Sequence, residues 1–282
     1  MRFVRVNLSF AVPICLLAGL ALKGDSLTGD GSWQRWTESA LVQGLHATPG
    51  IPYWNNNSGD GSRFNIGWCL DGRGNCRIAN PPGDIPYFGA VGAGAPLGMA
   101  FESTGYPVTA TLEAHVTDSG PLDTFGWYSL SADGSVESMT PLFSGLERPV
   151  SKPFKPSSRR YGFYVEQDQG AAGGHYSSKY FFFTDVAKNF VTGFPNPSDN
   201  LEHFAIFGVP RGATTTYYIG AVDTRACGSG TTGTCDPISQ FDYNDFVVRL
   251  DTSNVPEPPA LILFVCGLGV LALLARGRFA WR

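Results

Sequence analysis

The sequence predicts an all-β protein, an antiparallel β-sandwich of jelly-roll-like character, on three observations. Gly (35) and Pro (20) make up almost a fifth of the 282 residues, which leaves little room for long helices. Short runs rich in Val, Thr, Tyr and Phe recur between clusters of Gly, Pro, Asn and Asp. Those runs alternate apolar with polar residues or are aromatic, as short strands between turn signals do.

Taken in order, the first strand is 108–116, where Val108, Ala110, Leu112 and Ala114 alternate with Thr109, Thr111 and Glu113. Runs 125–130 and 161–166 are aromatic and short. Run 179–184 holds Phe181, Phe182 and Phe183, at least one face of which belongs in a core. Runs 203–209 and 217–222 are almost wholly apolar, and 246–250 closes the series. Residues 33–45 show some helical spacing through Trp33, Trp36 and Leu41. Residues 149–160 carry three prolines with Lys and Arg, and read either as a linker between halves or as a long loop. The body of roughly 230 residues suits one large β domain or two small ones. It shows no internal repeat.

The ends have a different character. Arg2 and Arg5 precede a mostly apolar stretch, 10–22, with Gly19 and Ala21 as small residues before a cut near Leu22. That is the layout of a secretory signal peptide, here 1–21, which implies the Sec export machinery and a signal peptidase. An uncleaved anchor is the alternative. Cys15 lacks the small preceding residue of a lipoprotein site.

At the other end Val255, Pro256, Glu257 and Pro258 precede an unbroken apolar run, 260–275, and then Arg276, Arg278 and Arg282. The run falls short of the roughly 20 residues a spanning helix needs. The arginines would stay on the cytoplasmic side and leave the body outside. Prolines 256, 258 and 259 hold the approach extended. In this order the segment, 254–282, resembles the PEP-CTERM sorting signal of exported bacterial proteins. The resemblance implies an exosortase-type transpeptidase that reads the motif and removes the tail. It also implies a Gram-negative envelope: inner-membrane tethering during sorting, then the cell surface or an extracellular matrix of exopolysaccharide and biofilm. The alternative is an ordinary short membrane anchor.

Without the five terminal arginines, 15 of the 20 basic residues remain against 24 acids. An acidic body disfavours nucleic acid, whose phosphates call for clustered Lys and Arg. It is hospitable to divalent cations. Four cysteines lie in the body, in two close pairs. In an oxidising envelope local bridges, Cys69 with Cys76 and Cys227 with Cys235, are the simplest pairing. Zinc is the competing reading, but neither pair has the spacing of a closed zinc site.

Two further segments carry family character. Residues 52–62, with Trp54, lead into Trp68, Cys69 and Cys76, and resemble a segment near the front of many PEP-CTERM proteins. The Asp242-Tyr243-Asn244-Asp245 run before the final strand resembles a signature of uncharacterised domains in such proteins.

The run also has chemistry of its own. Calcium takes six to eight oxygens, and Asp242, Asn244 and Asp245 offer three side chains, with Asp223 to complete a cluster if its strand pairs with the last. The plainer reading is an Asx turn capping the strand. If the strand had already begun, alternation would put Asp242 and Asn244 on one side and Asp245 on the other. The polar stretch 55–62 lacks the EF-hand pattern and reads as a solvated loop.

Trp54 and Trp68 flank that loop and are candidate glycan contacts; a buried core accounts for most other aromatics. His46, His115, His175 and His203 are scattered, without a zincin motif or a nucleophile elbow. Glu102, Glu113 and Glu166 are strand-associated carboxylates of the kind a glycosidase pairs across a cleft, though solvated strand positions are the simpler account. No catalytic residue is named. The sequence therefore points to a non-enzymatic surface or matrix component. A carbohydrate-binding module and an envelope polysaccharide hydrolase are its rivals.

Overall fold

The structure is a computed structural model. It describes residues 24–28, 66–70, 87–88, 99–115, 123–168, 179–191, 203–211, 214–222 and 243–252. The signal segment, the helical candidate at 33–45, Trp54 and the whole sorting tail lie outside them. Among the described residues no helix is long and apolar enough to cross a membrane.

The chain is all-β and antiparallel. Its strands are β1 (Ser26–Thr28), β2 (Tyr87–Phe88), β3 (Ala100–Glu102), β4 (Val108–Ala114), β5 (Thr124–Leu130), β6 (Val136–Ser144) and β7 (Ser151–Phe154). There follow β8 (Arg160–Asp168), β9 (Lys179–Phe183), β10 (Phe190–Val191), β11 (Phe204–Arg211), β12 (Thr214–Ala221) and β13 (Phe246–Asp251). One helix, α1 (Ile66–Leu70), and a single 3-10 turn (Val186–Lys188) complete the described elements.

The strands form two sheets. The first runs β1-β3-β8-β5-β6, with β9 also on β8 and β10 on β9; the second runs β2-β11-β12-β13-β4-β7. Alternation sends one face of each sheet into a shared core. Phe101, Phe125, Tyr161, Phe163 and Val165 from the first sheet meet Leu112, Phe204, Tyr217, Ile219 and Leu250 from the second. Phe101 stands edge-on to Tyr217, ring centres 5.1 Å apart, and Phe125 lies 5.7 Å from Phe246. Such aromatic pairs contribute about 1 kcal/mol each beyond their buried area.

A smaller buried cluster (Ala100, Tyr128, Leu130, Tyr164, Phe183) sits on the first sheet's outer face. The three phenylalanines divide accordingly: Phe182 belongs to the shared core, while Phe183 and Phe181 join the outer cluster.

Strand β8 holds the first sheet together by serving two partners on one edge. β3 pairs with Arg160 and Tyr161, and β9 with 164–168. Thr184 bridges the gap: its N–H donates to Phe163 O (2.9 Å) and its Oγ1 accepts from Phe163 N (3.2 Å). Gly162 lies just beside this junction. A Cβ there would come within 2.5 Å of Thr184 Oγ1 and of Tyr128 Cζ.

The chain's two described ends meet. A Cβ on Gly24 would lie 3.0 Å from Thr252 Cβ, and closer still to its Oγ1. Thr252 donates to Thr215 O at 2.9 Å. Buried Asp25 ties β1 down by accepting from Thr104 N and Oγ1 (2.6 Å each) and from Tyr161 Oη (3.0 Å). Both termini of the body thus share one pole. β13 then carries the chain about 20 Å, at 3.3–3.4 Å per residue, between this pole and the opposite one. At that far pole β13 begins and β4 and β12 end, while β11 begins beside them.

The seven sequence-read strands correspond to β4, β5, β8, β9, β11, β12 and β13, with no end shifted by more than three residues. Residues 149–160 are neither a linker nor a plain loop, because they contain β7. Its Pro153 is tolerated because β7 is an edge strand, as is β6 with Pro141. β6 shows no clean alternation, since its first six residues are half-buried or exposed.

Candidate functional site

Tyr243, Asn244 and Asp245 and the end of β4 come to the far pole. β13 begins only at Phe246, so 243–245 form a corner before the strand, and strand alternation does not govern them. Tyr243 has φ 52, the left-handed region, at a cost of roughly 1–3 kcal/mol for a residue with a Cβ. The corner is held from above by α1: Ile66 N donates to Tyr243 O at 3.2 Å.

Gly220 on β12 makes room for that contact. A Cβ would lie 2.7 Å from Ile66 Cβ and 2.9 Å from Tyr243 O. Tyr243, Asn244 and Asp245 are all buried, Asp245 at 8 % exposure. Cys69, in α1, is buried and disulfide-bonded.

Of the proposed calcium ligands, Asn244 and Asp245 are therefore adjacent and buried, while Asp223 and Asp242 lie outside the described residues. Among the described residues no three His, Cys, Asp or Glu side chains gather as a metal site. Cys76, Cys227 and Cys235 also lie outside, as do the sorting residues Val255, Pro256, Glu257 and Pro258 and the arginines 276, 278 and 282. Trp68 belongs to α1 by its backbone.

The second sheet's outer face carries a polar network that sequence reading did not find. Arg249 Nη1 donates to Glu113 Oε1 at 2.6 Å, Nε to Asp251 Oδ2 at 3.0 Å, and Nη2 to Thr111 Oγ1 at 3.4 Å. Thr216 Oγ1 adds a bond to Asp251 Oδ1 at 3.1 Å. Burial works against the guanidinium's charge, but Asp251 and Glu113 outweigh it and raise the Arg249 pKa. Burial also raises the neighbouring Tyr218, against the pull of Arg249 and Arg211. The signal was present in the outward positions of two strands, Glu113 and Arg249, but their pairing depends on register.

The three strand carboxylates do not converge. Their sequence neighbours Phe101, Val165 and Leu112 point into the core, so Glu102 and Glu166 face out of the first sheet and Glu113 out of the second. Glu102 sits opposite Arg160, six residues along β8 from Glu166. That is about 20 Å of strand, whereas a glycosidase holds its carboxyl groups roughly 5–10 Å apart. Glu166 instead pairs with Lys179, whose pKa rises through that hydrogen bond. Glu102 lies 3.8 Å from Arg159.

The two described histidines, His115 and His203, each bond a backbone carbonyl. His203 is fully buried, stacks on Phe182 at 3.8 Å and bonds Val222 O through Nδ1 at 3.2 Å. His115 lies just past β4 and bonds Gly145 O through Nε2.

Comparison with protein-family models, with curated proteins and with solved structures finds nothing that matches this chain.

Proposed function

We propose that this chain is an exported, non-enzymatic cell-surface or extracellular-matrix protein of the PEP-CTERM kind. Its two facing sheets read as a β-sandwich, and the chain's repeated passage between them supports the jelly-roll-like description. In this reading Sec export and signal peptidase remove 1–21. The apolar run 260–275 then holds the chain in the inner membrane, and an exosortase-type enzyme cuts near Pro256, Glu257 and Pro258. The product joins the exopolysaccharide or biofilm surroundings of the cell.

One observation carries the reading. Gly24 and Thr252 meet at one pole, so both processing segments would leave the body there and the opposite pole would face away from the membrane. At that far pole the corner with Asn244 and Asp245 is the proposed calcium site, with Asp223 and Asp242 adding ligands. Trp54 and Trp68 are the proposed glycan contacts under the carbohydrate-binding alternative.

The deciding experiment is intact-mass analysis of the protein recovered from its own envelope. The expected species begins near Leu22 and ends within 255–258, and Glu257→Ala retains the tail. Recovery of the full 282-residue chain from wild-type cells would overturn the reading.

A further inference from the structure

Beside the corner, where the chain crosses from β6 to β7, the far pole holds a half-open pocket of about 240 Å³. Glu113, Ala114 and His115 form one wall, and residues 146–149 form the other. We infer that this pocket binds a small hydroxylated carboxylate, of the sugar-acid class.

The charges of the pocket select the ligand. Two carboxylates line it, and each is already ion-paired. Glu113 receives Arg249 at 2.6 Å, and Glu147 receives Lys152 Nζ at 2.8 Å on Oε1 and 2.7 Å on Oε2. Arg148 is exposed and makes no ion pair among the described residues. It is thus the unspent charge of the pocket, and a guanidinium matches a carboxylate in a planar two-point bond.

His115 supplies the second requirement. A backbone carbonyl only accepts, so Nε2 donates to Gly145 O, and in the tautomer this selects Nδ1 is an acceptor. An acceptor beside a cation asks for a hydroxyl next to a carboxylate. Leu146, 71 % exposed, and Pro149 add apolar surface for the C–H face of a ring. The volume lies just below the roughly 300–1,000 Å³ of drug-sized sites, which fits a single ring. The pocket does not depend on export or processing; an unprocessed chain would carry it equally.

The test is ligand-observed NMR titration of the full chain with glucuronate and with glucose. Saturable binding of glucuronate in the millimolar range is expected, at least about tenfold tighter than glucose. Arg148→Gln should weaken it about tenfold or more, while Arg148→Lys, which keeps the charge but not the planar fork, should fall between Gln and wild type. Leu146→Asp, also at an exposed position, should abolish it through like charge and lost wall. Equal affinity for glucose, an Arg148→Gln chain that binds as the wild type does, or no saturation would each overturn the inference.

Discussion

Arg249 reaches across from β13 to the β4 residue Glu113, Nη1 to Oε1 at 2.6 Å, while its Nε holds Asp251 at 3.0 Å. One guanidinium thereby serves two carboxylates on a sheet face where Glu113 is almost fully buried.

Removing the cation should cost more than removing one of its partners. Arg249→Met takes the cation away from buried Glu113 and from Asp251 and is expected to lower stability by roughly 2–3 kcal/mol. Glu113→Gln keeps a hydrogen-bonding group and should cost about half as much. The double variant should cost less than the sum, because both single changes break one bond. Urea midpoints of the four chains measure this.

Gly162 should not tolerate even a methyl group. Tyr128 and Thr184 occupy the space a Cβ would need, within 2.5 Å. Gly162→Ala is expected to destabilise by about 1–3 kcal/mol. Combining it with Tyr128→Phe removes one of the opposing oxygens, so part of that loss should return. Thermal midpoints of both chains against wild type check it.

The buried tyrosines set an alkaline limit. Burial, with Asp25 beside it, pushes Tyr161 well above its ordinary value of 10, and burial likewise raises Tyr128 and Tyr164. An unfolded tyrosine ionises near pH 10, so above that pH the unfolded chain sheds protons the folded chain keeps. Stability is intact below pH 10 and falls as pH climbs beyond it, by up to about 1.4 kcal/mol per pH unit for each such tyrosine. Tyrosinate absorbance should therefore appear together with loss of the β-sheet circular dichroism signal. Gradual ionisation of a chain that stays folded would contradict this.

Asp133 gives the opposite sign. In the exposed β5–β6 turn it accepts from Ser131 Oγ and from Ser135 N and Oγ, the latter two at 3.0 and 2.8 Å, and these bonds lower its pKa from 3.8 to about 2. A depressed carboxylate helps the fold above its unfolded value, and that help is lost as pH falls through about 2. Side-chain NMR titration should find the midpoint there, and Ser131→Ala should move it back towards 3.8.

Calcium binding at the corner should show as a concentration-dependent rise in the thermal midpoint that a chelator reverses. Asp245→Ala should lower the midpoint in any buffer, since Asp245 is buried. The discriminating quantity is the calcium-induced increment, expected to vanish in the variant. An unchanged increment would remove Asp245 from any metal site.

Strands buried on both faces were legible because their composition alone marks them. Phe204 and Ile206 point to the core while Ala205 and Phe207 are equally buried opposite, so 203–209 reads as strand whichever way it faces. Edge strands were harder. Pro153 fell in a stretch read as linker or loop, and the run with Pro141 was not read as a strand; only a position at a sheet margin, which requires the partner order, makes these prolines compatible with β7 and β6.

The corner was legible as oxygen-rich and as an Asx turn, but nothing local announces a left-handed Tyr243 held by a distant Ile66. The pocket needed a crossing between sheets to bring His115 to 146–149. No local pattern encodes such a meeting.

The contact between Gly24 and Thr252 has a mechanical consequence. A body tethered by either end, or by both, would feel tension at one spot, where the two ends leave side by side. Force between those ends would peel β1, which pairs with β3 alone among the described strands, before β13, which β12 and β4 hold from both sides. The interior should thus outlast the detachment of its ends, and the far pole should keep its shape while the near one is pulled.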